Sequence, residues 1–232
     1  FQVNRVSCGP VNCTQPSSLP LRLKPMKHIT FTFVAVVLLL TGLWLLADTL
    51  WPEPFSYFAF RSVFVQYSGV VAMGVMSVAM ILATRPARLE PYLNGLDKMY
   101  RLHKWLGITA LVMAVAHWWM AKGSKWMVGW GWIERPQRGP RGGEETLGMI
   151  EGWIRAQRGL AETIGEWAFY AMVILLLLAL IRRFPYHRFV KTHKMIAPLY
   201  LLLVFHTVIL VEQDYWRQPV GWVLTLLLAA GG

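Results

Sequence analysis

Five stretches of the chain are almost unbroken runs of apolar residues: 29–50, 62–84, 102–120, 166–181 with its flanks, and 192–211. Short polar loops, most of them basic, separate the runs. About 20 apolar residues are needed to cross the hydrocarbon core of a bilayer as a helix, so each run predicts one crossing. A sixth run begins near Val220 and reaches Gly232 after 13 residues. That covers about 20 Å at 1.5 Å per residue, short of the roughly 30 Å required, so the chain is expected to break off inside its sixth helix. The pattern predicts an all-α integral membrane protein, a six-transmembrane-helix bundle. The run from Ile29 has the charged start of a signal peptide but is long and lacks a small-x-small cleavage site, and it reads as an uncleaved first helix.

Composition agrees with the pattern. Hydrophobic residues make up 56% of the 232 and charged residues 15%, against roughly 45–50% and 25% in soluble domains. The twelve tryptophans suit helix ends at bilayer interfaces. A formal charge of +11 raises the question of nucleic acid, but the basic residues lie in short loops and no amphipathic soluble element presents them, so no nucleic-acid partner is expected. Fourteen of the 23 lysines and arginines fall before the first run, between the second and third, and between the fourth and fifth, counting Lys104 and Lys194 at the starts of the third and fifth runs, and are opposed there only by Glu90 and Asp97. That side is expected to face the cytoplasm, with the amino terminus inside. The predicted location is the cell inner (plasma) membrane, multi-pass and in contact with lipid.

Residues 1–25, rich in Pro, Ser and Asn, read as a disordered leader or an upstream extension of a start at Met26. Cys8 and Cys13 lie there, and a lone Cys-x4-Cys pair is weak support for a metal site or a disulfide. The connection over 121–163 is expected outside. Its "RGPRGGEE" lacks the Gly-Lys-Ser/Thr ending of a phosphate loop and follows no strand, so it reads as a solvated turn between short interfacial helices. Residues 147–160 read as an amphipathic helix on the outer surface.

The chemistry lies in the histidines. Of six, His28 and His187 sit in basic loop settings and read as bystanders. His103 and His117 are 14 positions apart on the third helix, and His193 and His206 are 13 apart on the fifth. Both helices run from inside to outside, so the four residues form two pairs at matching depths about 20 Å apart. Ionisable side chains at membrane depth mark functional sites. A proton relay would want Asp or Glu among them, and none lies between the paired histidines. A zinc site would want its ligands in one cluster. Two layers of paired imidazoles suit two bis-histidine haems between the third and fifth helices, with no open position on either iron. Fourteen residues advance an α-helix by about 1400°, within about 40° of whole turns, so His103 and His117 share a face; thirteen leave about 140° of mismatch. The fifth helix must therefore be distorted, and Pro198 is the residue able to do it.

Arg61, at the outer start of the second helix, is a candidate partner for a propionate of the outer haem; snorkelling to the interface is its alternative role. Gly69, Gly74 and Gly107 can admit close approach of backbone to a macrocycle, or serve plain helix packing.

At His-x13-His and His-x12-His, and in "LDKMYRLHKWLG", the chain resembles the ferric reductase-like transmembrane domain shared by ferric reductases and NADPH oxidases, in a bacterial form, over residues 26–232. The resemblance implies an oxidoreductase component in which two b-type haems bind, His103 pairing with His193 on the inner haem and His117 with His206 on the outer one. It implies electrons passing from NAD(P)H through FAD on a cytoplasmic domain to ferric iron or oxygen outside. No flavin or nicotinamide domain is read within these residues, so that domain is expected either fused downstream or on a separate partner. A sister branch, the quinone-fed haem-binding subunit of periplasmic methionine-sulfoxide reductase systems, usually lacks the inner histidine of the third helix, and His103 favours the oxidase/reductase branch. A membrane transport or sensor module without enzymatic activity is the alternative of another class.

Overall fold

The computed structural model describes residues 27–87, 89–93, 95–134, 148–181 and 185–232. The leader with Cys8 and Cys13 and the glycine-rich "RGPRGGEE" stretch lie outside the described residues. Among the described residues all regular structure is helical: α1 (Lys27–Leu45), α2 (Tyr57–Ala83), α3 (Glu90–Leu93), α4 (Leu96–Trp118), α5 (Ser124–Gly129), α6 (Met149–Leu180), α7 (Tyr186–Lys194), α8 (Ile196–Leu210) and α9 (Pro219–Gly231). A π-helical turn, Trp119–Gly123, joins α4 to α5, and a 3-10 turn, Gln213–Arg217, precedes α9.

α2 is the central pillar, with α1, α4, α8 and α9 packed on it. Its buried run from Val70 to Ser77 mixes β-branched residues with Ala72, Gly74 and Ser77. Small residues let helix backbones close up, the main means of packing where lipid removes the hydrophobic drive between helices. At Gly74 a Cβ would lie 2.7 Å from the Leu40 side chain of α1. Ser56 caps the helix, its Oγ accepting from the Ala59 amide at 3.1 Å. The core joins Trp44, Val75, Leu102, Leu106, Tyr200 and Leu224, and the Tyr200 hydroxyl lies 2.8 Å from Ser77 Oγ.

Outward, the pattern inverts. Trp167, Ile174 and Leu177 on α6 and Leu201 and Leu202 on α8 are exposed, an apolar exterior that suits lipid and not water. Among the described residues, three stretches are long and apolar enough to cross a membrane: Tyr57–Ala83, Met149–Leu180 and Tyr186–Leu210. Ile29–Leu45 and Pro219–Gly231 are apolar but shorter. α4 has 23 residues but carries Asp97, Lys98, Arg101 and Lys104 near its start.

Two expectations change. The first helix ends at Leu45, short of residue 50, and Asp48 beyond it accepts a bond from Tyr215. The third segment continues through the π turn into α5, a short helix of the kind expected beside the glycine-rich turn. Residues 149–160 are no separate surface helix. They are the start of α6, which runs unbroken for 32 residues, about 48 Å and well beyond a roughly 30 Å hydrocarbon core. The fifth segment is interrupted, as its histidine spacing requires. Pro198 has no N–H to offer the Lys194 carbonyl; α7 ends at Lys194 and α8 starts at Ile196, with the Met195 amide bonded three residues back to Thr192 at 3.1 Å.

The Tyr215 hydroxyl donates to Asp48 Oδ2 at 2.6 Å, tying the end of α1 to the turn before α9. Burial pushes the Tyr215 phenol well above the usual tyrosine range, and the Asp48 carboxylate acts in the same direction. A raised folded-state value favours the neutral phenol, so its stabilisation is complete below about pH 10 and fades as pH rises through the folded value. Tyr215→Phe is expected to cost about 1.5–3 kcal/mol in detergent unfolding at neutral pH, with the deficit shrinking at strongly alkaline pH.

Candidate functional site

The four histidines meet in two pairs. The ring centroids of His103 and His193 are 5.8 Å apart with planes at 68°; those of His117 and His206 are 6.3 Å apart at 80°. Each pair takes one ring from α4 and one from the α7–α8 segment, so these segments run parallel and the pairs stand at two levels. The interruption at Met195 absorbs the mismatch of a 13-residue spacing.

Three of the rings are held by carbonyls of a neighbouring helix. His103 Nδ1 bonds to the Ala79 carbonyl at 2.9 Å, His117 Nδ1 to Val65 at 2.9 Å, and His206 Nδ1 to Ala161 at 2.8 Å. A carbonyl only accepts, so Nδ1 must carry the proton and Nε2 keeps its lone pair. That is the second-shell arrangement which fixes the tautomer of a ligating imidazole and raises its basicity. On α2, Val65 and Ala79 are 14 residues apart, as are His103 and His117 on α4. The two helices run antiparallel with both histidines docked on matching carbonyls. Ser68 Oγ, which donates to Phe64 at 2.7 Å, also lies 3.3 Å from His117 Nδ1.

Glycine makes two of these docks possible. Four residues after Val65 stands Gly69, where a Cβ would be 3.3 Å from the His117 ring; four after Ala161 stands Gly165, where it would be 2.0 Å from His206 Nδ1. Gly165 and the whole contribution of α6 escaped the sequence reading. The signal available was a glycine inside an apolar run, which does not say which ring lies over it. Of the other glycines singled out, Gly74 faces Leu40 and Gly107 has open space around it.

Beside His117 and His206 lies a cavity of about 430 Å³, walled by α2, α4, α6 and α8 through residues such as Gly69, Met73, Ala114, Phe169 and Thr207. Its polar end holds Arg61, Lys122, Lys125, Arg158, Glu162 and Glu166. Arg61 donates from Nε to the Met120 carbonyl at 2.9 Å and from Nη2 to Ala121 at 2.8 Å. These carbonyls belong to the π turn that follows His117, a helix irregularity frequent at functional sites. Lys122 pairs with Glu166, which also accepts from the Tyr170 hydroxyl at 2.9 Å.

No group of three or more His, Cys, Asp or Glu side chains able to hold a bare metal ion occurs among the described residues. Facing imidazoles in twos are instead a donor set for a metal whose remaining positions are already filled. Metal–imidazole bonds of about 2.0–2.1 Å on each side, with the ring radii added, bring the ring centres to roughly 6.2–6.6 Å, a spacing that the His117–His206 pair meets and the His103–His193 pair approaches. The cavity and its cationic rim fit a flat apolar group with anionic substituents at the His117–His206 level.

Fold and site together define a class, a helical membrane protein presenting paired histidines at two levels. The family model of the ferric reductase like transmembrane component matches residues 68–204, more than half of the chain, and the protein belongs to that family. The match spans His103, His117 and His193 and stops two residues before His206. No curated protein matches the chain. Membership points in general terms to an oxidoreductase of transmembrane electron transfer.

Gly165→Ala is expected to drive His206 off the Ala161 carbonyl and cost about 1–3 kcal/mol. Gly69→Ala, with its looser contact, should cost less. Thermal unfolding of the two variants in the same detergent checks the order.

Proposed function

We propose that the chain is the six-helix membrane component of a ferric reductase or NAD(P)H oxidase-like system. It would hold one b-type haem between His103 and His193 and a second between His117 and His206. The observation that carries this reading is the pair of facing imidazoles at each of two levels, at ring spacings of 5.8 and 6.3 Å. Each haem, when bound, would supply one-electron chemistry, with the two histidines of its pair as the residues that would hold it. The residues do the rest. The Ala79, Val65 and Ala161 carbonyls hold three of the rings with Nε2 free for the metal. Met73, Phe169, Leu176 and Leu203 line the inner length of the cavity and keep water from it. Arg61, Lys122, Lys125 and Arg158 offer cations to propionate carboxylates at the outer level.

The basic loops support a reading with the His103–His193 level towards the cytoplasm and the amino terminus inside, the membrane being the plasma membrane. FAD and NAD(P)H on a downstream or partner domain would then feed that level, and ferric iron or oxygen would accept electrons outside. The presence of His103, docked on Ala79 and facing His193, favours this over the quinone-fed sulfoxide-reductase subunit and over a transport or sensor module.

Absorbance spectra of the purified protein, oxidised and dithionite-reduced, with haem counted per chain, test the proposal. Two low-spin haems per chain are expected, falling to one in His117→Ala or His206→Ala. Arg61→Ala is expected to retain the inner haem and bind the outer one more weakly. A colourless protein from haem-sufficient cells would refute the reading.

A further inference from the structure

The four rings are not held alike. His103, His117 and His206 each rest on a helix carbonyl, whereas the buried Nδ1 of His193 has no hydrogen-bond partner among the described residues. Phe189, one turn earlier on α7, lies against the His193 ring instead, with centroids 5.1 Å apart and planes 19° from parallel. Stacked rings attract and restrict tilt, but a stack supplies no acceptor. It neither selects the tautomer nor adds the basicity that a bonded carbonyl lends to a ligating imidazole. The backbone carrying His193 is also the least supported. α7 has no buried residue and ends one residue after His193, where Pro198 interrupts the helix. His103, His117 and His206 lie within α4 and α8, both of which bury residues in the bundle.

We propose that Phe189 is the positioning residue for His193, and that His193 is the releasable ligand of the four, so that only the His103–His193 level can open a coordination position to a small neutral ligand. This rests on the reading that the pairs hold haem. Orientation by a stack requires a flat face at position 189 and not merely apolar volume. Tyr should therefore replace Phe, while Leu, of similar apolar character, should not.

The test is carbon monoxide titration of the dithionite-reduced, haem-loaded full chain, followed by absorbance, together with redox titration. Before the gas is added both haems of the unaltered protein should be six-coordinate, and on titration only one haem per chain, the one retained in His206→Ala, should bind it. Phe189→Leu should raise carbon monoxide affinity at least tenfold at one haem per chain and leave the other unchanged, with Phe189→Tyr restoring the original behaviour. A tenfold loss of His193's preference for oxidised over reduced iron would raise one midpoint potential by about 59 mV. In the His206→Ala background, which keeps only the inner site, the same substitution should act on the single remaining haem. Because α7 has no buried residue, Phe189→Leu is not expected to unfold the bundle, and retention of two haems verifies that. Two bound haems with unchanged carbon monoxide affinity and potentials in Phe189→Leu would overturn the role of Phe189, and carbon monoxide binding at neither haem, or at the haem lost in His206→Ala, would overturn His193 as the releasable ligand. A haem-free unaltered protein would overturn the underlying reading.

Discussion

The arrangement depends on an imidazole borrowing a carbonyl from a helix that is already using it. A helical carbonyl bonded to the amide four residues on has a second lone pair, but a side chain reaches it only if the helix surface beside it is bare. Val65 with Gly69, and Ala161 with Gly165, meet that condition, and at Ala79 the residue four positions on is Ala83. Each bond does two things at once. It fixes the orientation of the ring, and it ties two helices together at a stated register in a medium where packing between apolar surfaces gives little specificity.

α2 shows how far this reaches. It supplies both carbonyls that dock α4, and their 14-residue separation repeats that of His103 and His117. The antiparallel fit of α2 and α4 and the placement of the histidines are therefore one fact. α6 serves the remaining docked ring through Ala161 and closes the cavity opposite α2. The interruption between α7 and α8 is the compensating irregularity. A straight helix could not present His193 and His206 to partners that lie on one face of α4, and the proline that breaks it also leaves the segment carrying His193 the least buttressed part of the site.

The two levels differ in kind. At His117 and His206 both rings are carbonyl-bonded, a π turn follows directly, and Arg61 caps two of that turn's carbonyls at a rim that also carries Lys122, Lys125 and Arg158. At His103 and His193 one ring is carbonyl-bonded and the other is stacked. Membership of the ferric reductase like transmembrane family gives these differences a general context, transmembrane electron transfer.

Several features could be read from the chain alone because they depend on separations along it. The apolar runs mark the helices. A spacing of 14 puts His103 and His117 on one face because it nearly completes whole turns. A spacing of 13 together with Pro198 demands an interruption, since an ideal helix cannot absorb the missing angle. What the chain alone left open depends on which helix lies against which. Gly165 is one apolar-run glycine among several until His206 is found over it, and Phe189 is an unremarked aromatic until His193 is found without a carbonyl. Local amphipathicity over 149–160 suggests a surface helix, whereas these residues continue without a break into the apolar length of α6. Covalent spacing is carried by the sequence. Non-covalent adjacency, which decides what each ring donates to, exists only once the helices are assembled.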